Sequence, residues 1–186
     1  MAVAYINIHK EIIELCKAGD SKSQYQLYRL YAKAMYNICY RMMNNKEEAE
    51  DMLQESFTEA FMKLDTFRYE SAFGVWLKRI VINKCINSIK RKKAELILSD
   101  NLPDMDDTNE GEDNPDTSTL KVRDVQKAME KLPQGYRVIF SLYLLEGYDH
   151  SEIAQITGVS ESTSKSQYSR ARQKVKELLI RSDHER

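Results

Sequence analysis

DHSEIAQITGVSESTSKSQYSRARQKVKELL, residues Asp149 to Leu179, predicts two short helices joined by a tight turn, a layout that places a helix in the major groove of DNA. Asp149 and Glu152 have the spacing of a capping box, so a helix starts there and carries Ile153, Ala154 and Ile156 on one face. Gly158 ends it after two turns. Ser160 caps a second helix, in which Tyr168, Ala171, Val175, Leu178 and Leu179 recur every three or four residues and form the buried stripe. Ala154 is small enough for the two helices to approach, and Gly158 permits a sharp turn. The outward set on the second helix is then Glu161, Ser162, Thr163, Lys165, Ser166, Gln167, Arg170 and Arg172, rich in groups that bond base edges and phosphates. A structural hairpin with a solvated basic face would explain the helices. It would not explain why short polar and cationic residues gather at the amino-terminal end of the second one, the end that meets the groove.

The rest of the chain limits the other classes. No window of the 186 residues is apolar for long enough to span a bilayer, and the amino terminus lacks a secretory layout, so a cytoplasmic location is expected. Cys16, Cys39 and Cys85 are widely spaced among apolar residues, which fits buried reduced thiols rather than disulfides or a metal site. His9, His150 and His184 have no partner at ligand spacing. There is no Gly-rich phosphate loop, no His-Glu-x-x-His and no nucleophile elbow, so neither a catalytic group nor a cofactor is expected.

Net charge divides unevenly. The stretch Ser99 to Thr117 holds eight acids and no base, so although the whole chain carries −1 the remainder carries +7. With Pro103, Gly111 and Pro115 and almost no apolar residue, this stretch reads as an acidic linker (96–118) between two domains, 1–95 and 119–186. Nineteen residues can extend to roughly 65 Å, enough for two domains to reach separate sites on one duplex. The linker is either a passive tether or, through its eight acids, an imitation of nucleic acid in a basic groove.

Ahead of the linker, periodicity predicts helices over Tyr5 to Ala18, Ser23 to Met43 and Lys46 to Leu64. Leu27, Leu30, Tyr31, Ala34, Met35, Ile38, Cys39 and Met42 are the expected core of the second, and Asn44 and Asn45 stop it and cap the third. In that third helix Ala49, Met52, Leu53, Phe57, Ala60, Phe61 and Leu64 form the buried stripe, leaving Glu47, Glu48, Glu50, Asp51, Gln54, Glu55 and Glu59 outside or at its edge. Only Lys46 and Lys63 offset these acids within the helix, which favours a basic partner surface over a merely solvated face. Phe67, Arg68 and Tyr69 follow on a loop, where exposed aromatics beside a cation can stack on unpaired bases, while Phe73 and Trp76 are expected in the core.

From Phe73 to Lys93 there are seven cations and no acid. Trp76, Leu77, Ile80, Val81, Cys85, Ile86 and Ile89 anchor this helix, so Arg79, Asn83, Asn87 and Lys90 share an outer stripe, with Lys84, Ser88 and Arg91 beside it. Neutralising about six phosphates would make affinity fall roughly a thousandfold between about 50 and 200 mM salt. Beyond the linker, Leu120 to Lys131 and Gly135 to Glu146 predict two more helices, with Pro133 near the start of the second. Val122, Val125, Met129, Leu132, Val138, Ile139, Leu142, Tyr143 and Leu145 are the expected support for the helix-turn-helix.

Taken together, Glu48-Ala-Glu-Asp-Met-Leu-Gln-Glu-Ser-Phe57, Phe73-Gly-Val-Trp-Leu-Lys-Arg-Ile80 with Asn83, Leu132-Pro-Gln-Gly-Tyr-Arg137, and Glu152-Ile-Ala154 through Lys165-Ser166 to Arg170-Ala-Arg172 resemble the bacterial sigma factors of the extracytoplasmic function (ECF) group. The resemblance implies an all-α protein of two small domains, a four-helix bundle and a four-helix unit with a helix-turn-helix, that binds core RNA polymerase and directs it to promoter DNA as a monomer. It implies that Glu50, Asp51, Gln54 and Glu55 contact polymerase. Arg79, Asn83, Lys84 and Asn87, with Lys90 and Arg91, would address the −10 element, and the loop of Phe67, Arg68, Tyr69 and Ser71 would hold an unstacked base. The terminal helix-turn-helix would read the −35 element, and an anti-sigma protein is a partner common in this group. Ser164 departs from the family pattern, which has an apolar residue there and so a firmer anchor. Gly74 and Lys78 replace a larger residue and an aromatic. The rival reading is an operator-binding regulator whose residues 1–95 sense a ligand or dimerise.

Overall fold

In a computed structural model of the chain, residues 9–98 and 122–184 are described, and every regular element among them is helical. Of the linker expected over 96–118, residues 96–98 are the helical end of the element that runs to Leu98 and the rest lies outside the described residues, as does the expected beginning of the first helix at Tyr5. The described residues fall into two compact units, divided between Lys92 and Lys93.

The first unit contains α1 (Lys10–Lys17), α2 (Ser21–Met43), α3 (Lys46–Met62), a single 3-10 turn at Leu64–Thr66, and α4 (Phe73–Leu98) up to the division at Lys92. Local chemistry sets the breaks. Asp20 accepts a hydrogen bond from the Ser23 amide at 2.8 Å, so α2 starts at Ser21, two residues before the periodicity alone would begin it. Asn44 ends α2 in the left-handed region at φ 55°, and the Asn45 side chain then accepts from the Glu48 amide at 3.0 Å to start α3.

The core of this unit joins Leu27, Met35, Ile38, Cys39 and Met42 of α2 to Ala49, Met52, Leu53, Phe57 and Ala60 of α3 and to Leu77, Val81, Cys85 and Ile86 of α4. Leu30 and Ala34, expected inside, lie on the solvent side of α2, whereas Ile82, which the sequence stripe passed over, is buried. All three cysteines are buried free thiols. The hydrogen bond that the Cys85 thiol donates to Cys39, together with burial, pushes that thiol up and favours its protonated form.

Gly74 has a steric reason. A Cβ built there would lie 2.9 Å from Cε1 of Tyr31, whose ring is held edge-on against Phe73 with centroids 5.1 Å apart. The departure at residue 74 is therefore matched by a tyrosine on α2 that occupies the space of the missing side chain. Gly74→Ala is expected to destabilise the protein by about 1–3 kcal/mol, the usual range for overpacking, measurable as a lower urea midpoint with an unchanged slope.

The second unit contains α5 (Val122–Glu130), α6 (Gln134–Phe140), which runs on into a π-type turn at Ser141–Leu145, α7 (His150–Thr157) and α8 (Glu161–His184). Ala128, Met129, Leu132 and Phe140 pack on Ala171, Val175 and Leu179 of α8, with Val125, Tyr136, Tyr168 and Leu178 at the margin. Tyr143 and Leu145, expected in this core, remain 37% and 46% exposed because the wider π turn carries them outward, while Phe140 takes a core place. Arg137 is buried and donates to the Leu132 carbonyl at 2.7 Å, which folds the Leu132–Arg137 stretch onto itself.

Candidate nucleic-acid and partner interfaces

The helix-turn-helix forms as its sequence predicts. Asp149 and Glu152 make both bonds of the capping box, 2.8 Å and 2.9 Å, and Gly158 ends α7 at φ 81°. Ser160 accepts from the Thr163 amide at 3.0 Å and starts α8. Glu161, Ser162, Lys165, Ser166, Arg170 and Arg172 are exposed on α8, while Thr163 and Gln167 are half-buried at its edge. Lys165 is paired along the helix with Glu161 at 2.6 Å.

Ser164 does not loosen the recognition helix. It is fully buried, and its Oγ lies 2.9 Å from Nδ1 of His150 at the start of α7. The His150 ring stacks on Tyr143 with centroids 4.5 Å apart and meets Tyr168 edge-on at 5.7 Å. A polar bond inside an aromatic frame thus joins the two helices where the resemblance leads one to expect an apolar contact. Ser164→Ala leaves His150 unpaired beside those rings and is expected to cost about 1–3 kcal/mol, read as a lower midpoint in thermal or urea unfolding.

On α4, the outer stripe of Arg79, Asn83, Asn87 and Lys90 is exposed along its length. Arg91 is exposed next to it, whereas Ser88 is buried. Lys84 sits differently from its expected role. Its ammonium lies 2.9 Å from Glu59 and 3.8 Å from Glu55 on α3, and Lys92 pairs with Glu48 at 2.5 Å. The hydrogen bonds from Lys63 and Lys84 hold the Glu59 carboxyl below its ordinary range, and Glu59 in turn holds the Lys84 ammonium above its own.

These pairs correct the view that only Lys46 and Lys63 offset the acids of α3. One flank, Glu48, Glu55 and Glu59, is answered by α4. Glu47 and Asp51 have no ion-pair partner among the described residues, and Glu50 has only an exposed 3.8 Å pair with Lys46. Glu50, Asp51, Gln54 and Glu55 therefore form an exposed polar edge. It continues into an open groove of about 650 Å³ lined by Gln54, Glu55, Thr58, Glu59, Met62, Lys63 and Lys84, with Met62 80% exposed. Removing the Lys84 charge as Lys84→Met is expected to cost at most about 1 kcal/mol, with the loss shrinking as salt rises; unfolding at low and high salt reads both.

The loop after α3 holds the largest correction. Phe67 is buried, with its ring against Phe73 and Trp76 at 5.6 Å and 5.3 Å, so it supports the loop from below rather than facing solvent. Trp76 is half-buried. Arg68 is exposed, and Ser71 is half-buried. Tyr69 stands at φ 60°, a left-handed conformation uncommon for a bulky residue. Its hydroxyl donates to Glu14 of α1 at 2.6 Å, and the Lys17 and Lys10 ammonium groups lie over its ring at 4.9 Å and 5.6 Å. Burial and the Glu14 carboxylate push the Tyr69 hydroxyl well above its ordinary value, so it remains a donor. Glu14, Lys17 and His150 were missed in the sequence because their partners lie 55, 50 and 14 residues away, beyond any helical period. Among the described residues there is no cluster of three or more His, Cys, Asp or Glu that could hold a metal ion, and no helix is long and apolar enough to cross a membrane.

Comparison with known proteins decides the family. Residues 27–95 match Sigma-70 region 2, and residues 123–175 match Sigma-70, region 4. The ECF RNA polymerase sigma factor SigM of Mycobacterium tuberculosis (strain ATCC 25618 / H37Rv) is 32% identical over 171 residues, covering 91% of this chain and 83% of that protein. This chain belongs to the ECF RNA polymerase sigma factors. SigW of Bacillus subtilis (strain 168) is 28% identical over 91% of this chain and 96% of its own length. Among solved structures, the sigma factor RpoE of Bartonella quintana, in complex with the anti-sigma factor NepR, matches 84% of this sigma factor and 96% of that chain, with a TM-score of 0.55 and 26% identity. The ECF chain is thus a promoter-directing initiation factor, and the operator-binding regulator is not favoured. Its α1 lies outside both matched stretches.

Proposed function

We propose that this sigma factor divides its work between three surfaces. The edge of Glu50, Asp51, Gln54 and Glu55 docks on a basic surface of core RNA polymerase. The stripe of Arg79, Asn83, Asn87, Lys90 and Arg91 engages the −10 element, with Arg68, Tyr69 and Ser71 at the opened strand, Phe67 as their buried support, and Lys84 contributing once it leaves its carboxylates. The exposed residues of α8, Glu161, Ser162, Lys165, Ser166, Arg170 and Arg172, with Thr163 and Gln167 at the rim, read the −35 element.

The observation that carries this reading is the asymmetry of α3. Glu48, Glu55 and Glu59 on the α4 side pair with Lys92 and Lys84, while among the described residues Glu47 and Asp51 have no ion-pair partner and Glu50 has only Lys46. Carboxylates left in that condition repel one another, and an external cationic surface relieves them. An anti-sigma partner belongs to the same proposal, supported by the solved relative held in such a complex. So do a monomeric state, a cytoplasmic location, an acidic linker over 96–118 between domains at 1–95 and 119–186, and a purely non-catalytic role.

Transcription in vitro from genomic fragments tests it, using core polymerase with and without the full chain. Start sites are expected only when both are present. Arg170→Ala with Arg172→Ala is expected to lower output at those sites at least tenfold, since each lost base or phosphate contact is worth about 1–3 kcal/mol. Unchanged transcripts together with a sharp footprint from the free protein would contradict the proposal.

A further inference from the structure

We propose that α1 is a latch that positions the strand-opening loop, with Glu14 and Lys17 as its positioning residues. The inference rests on the reading that the Arg68–Ser71 loop engages the opened strand, and it adds a segment that lies outside the two stretches matching the sigma-70 regions.

Three observations converge on the latch. Glu14 accepts from the Tyr69 hydroxyl at 2.6 Å and from the Lys17 ammonium at 3.1 Å, so one carboxylate ties the loop to its own helix. Lys17 also donates to the Phe67 carbonyl at 3.3 Å, which fixes the loop backbone two residues earlier. Finally, Tyr69 is held at φ 60°, a conformation that persists in a non-glycine residue when its surroundings over-determine it.

The same contacts change what Tyr69 does. Its ring packs against Phe67 with centroids 4.7 Å apart, and the Lys17 and Lys10 ammonium groups lie over it. A ring covered in this way is an anchor and not an open stacking platform. It fixes the backbone that carries Arg68 and Ser71, the loop residues left to meet a base or phosphate. Preorganisation of this kind raises the rate of strand opening because the loop need not be ordered as the base arrives. The charge-assisted bond to Glu14 is the stronger kind of hydrogen bond, so its loss is visible even at an exposed site.

The test uses holoenzyme reconstituted from core polymerase and the full chain, on a promoter carrying 2-aminopurine in the −10 element. Glu14→Gln and Tyr69→Phe are each expected to slow the fluorescence rise of strand opening about fivefold to tenfold, with polymerase affinity unchanged. The double variant is expected to be no slower than the slower single one, since both remove one interaction. Lys17→Met is expected to reproduce the effect. Opening at the normal rate in Glu14→Gln and Tyr69→Phe, even with a lowered melting temperature, would reduce α1 to a structural prop and overturn the latch. Arg68→Ala with Ser71→Ala separates this failure from that of the underlying reading. If those changes slow opening while Glu14→Gln does not, the latch alone falls; if they leave opening untouched, the role of the loop falls and the latch with it.

Discussion

The burial of one face of α3 is the constraint on which the rest of the first unit depends. Ala49, Phe57 and Ala60 are almost fully buried, and a single buried Phe contributes about 1.5–3 kcal/mol. The surface ion pairs around the same helix are each worth about 0–1 kcal/mol. Packing therefore decides the rotation of α3, and the charges accept the positions that packing leaves them. With the stripe turned inward, Glu50, Asp51, Gln54 and Glu55 face solvent together, which is how an apolar pattern creates an exposed polar edge.

The opposite arrangement holds on α4. In the free chain its cations are not all available to a partner, because Lys84 and Lys92 pair with carboxylates of α3. What remains is a narrower stripe in which Arg79 and Lys90 bracket Asn83 and Asn87, cations for phosphates flanking amides that can bond base edges. Glu55 stands at the junction, 3.8 Å from Lys84 and on the exposed edge of α3, so the two surfaces share an electrostatic boundary.

The local features of this fold were legible in the sequence. Asn44 and Asn45, the Asp149 and Glu152 capping box, Gly158 and Ser160 act within four residues of their partners, and each does in the structure what its spacing predicts. The misread positions depend on contacts between elements. Phe67 had the composition of an exposed loop aromatic, and only the meeting of the loop with α4 buries it. Lys84 was indistinguishable from its cationic neighbours until α3 was laid beside it. Ser164 looked like a weakened anchor because its partner, His150, belongs to another helix. The latch on Tyr69 spans 55 residues, and no periodicity carries information over that distance.

The exposed edge of α3 is the claim whose failure would undo most of this account. Its most direct test is the affinity of the full chain for core RNA polymerase, measured before and after reversing Asp51 and Glu50 to lysine. Both side chains are exposed, so the fold should survive as judged by helical content and melting temperature. The account predicts that affinity falls at least tenfold and that wild-type binding weakens as salt rises. Binding of the reversed protein at wild-type affinity would contradict it.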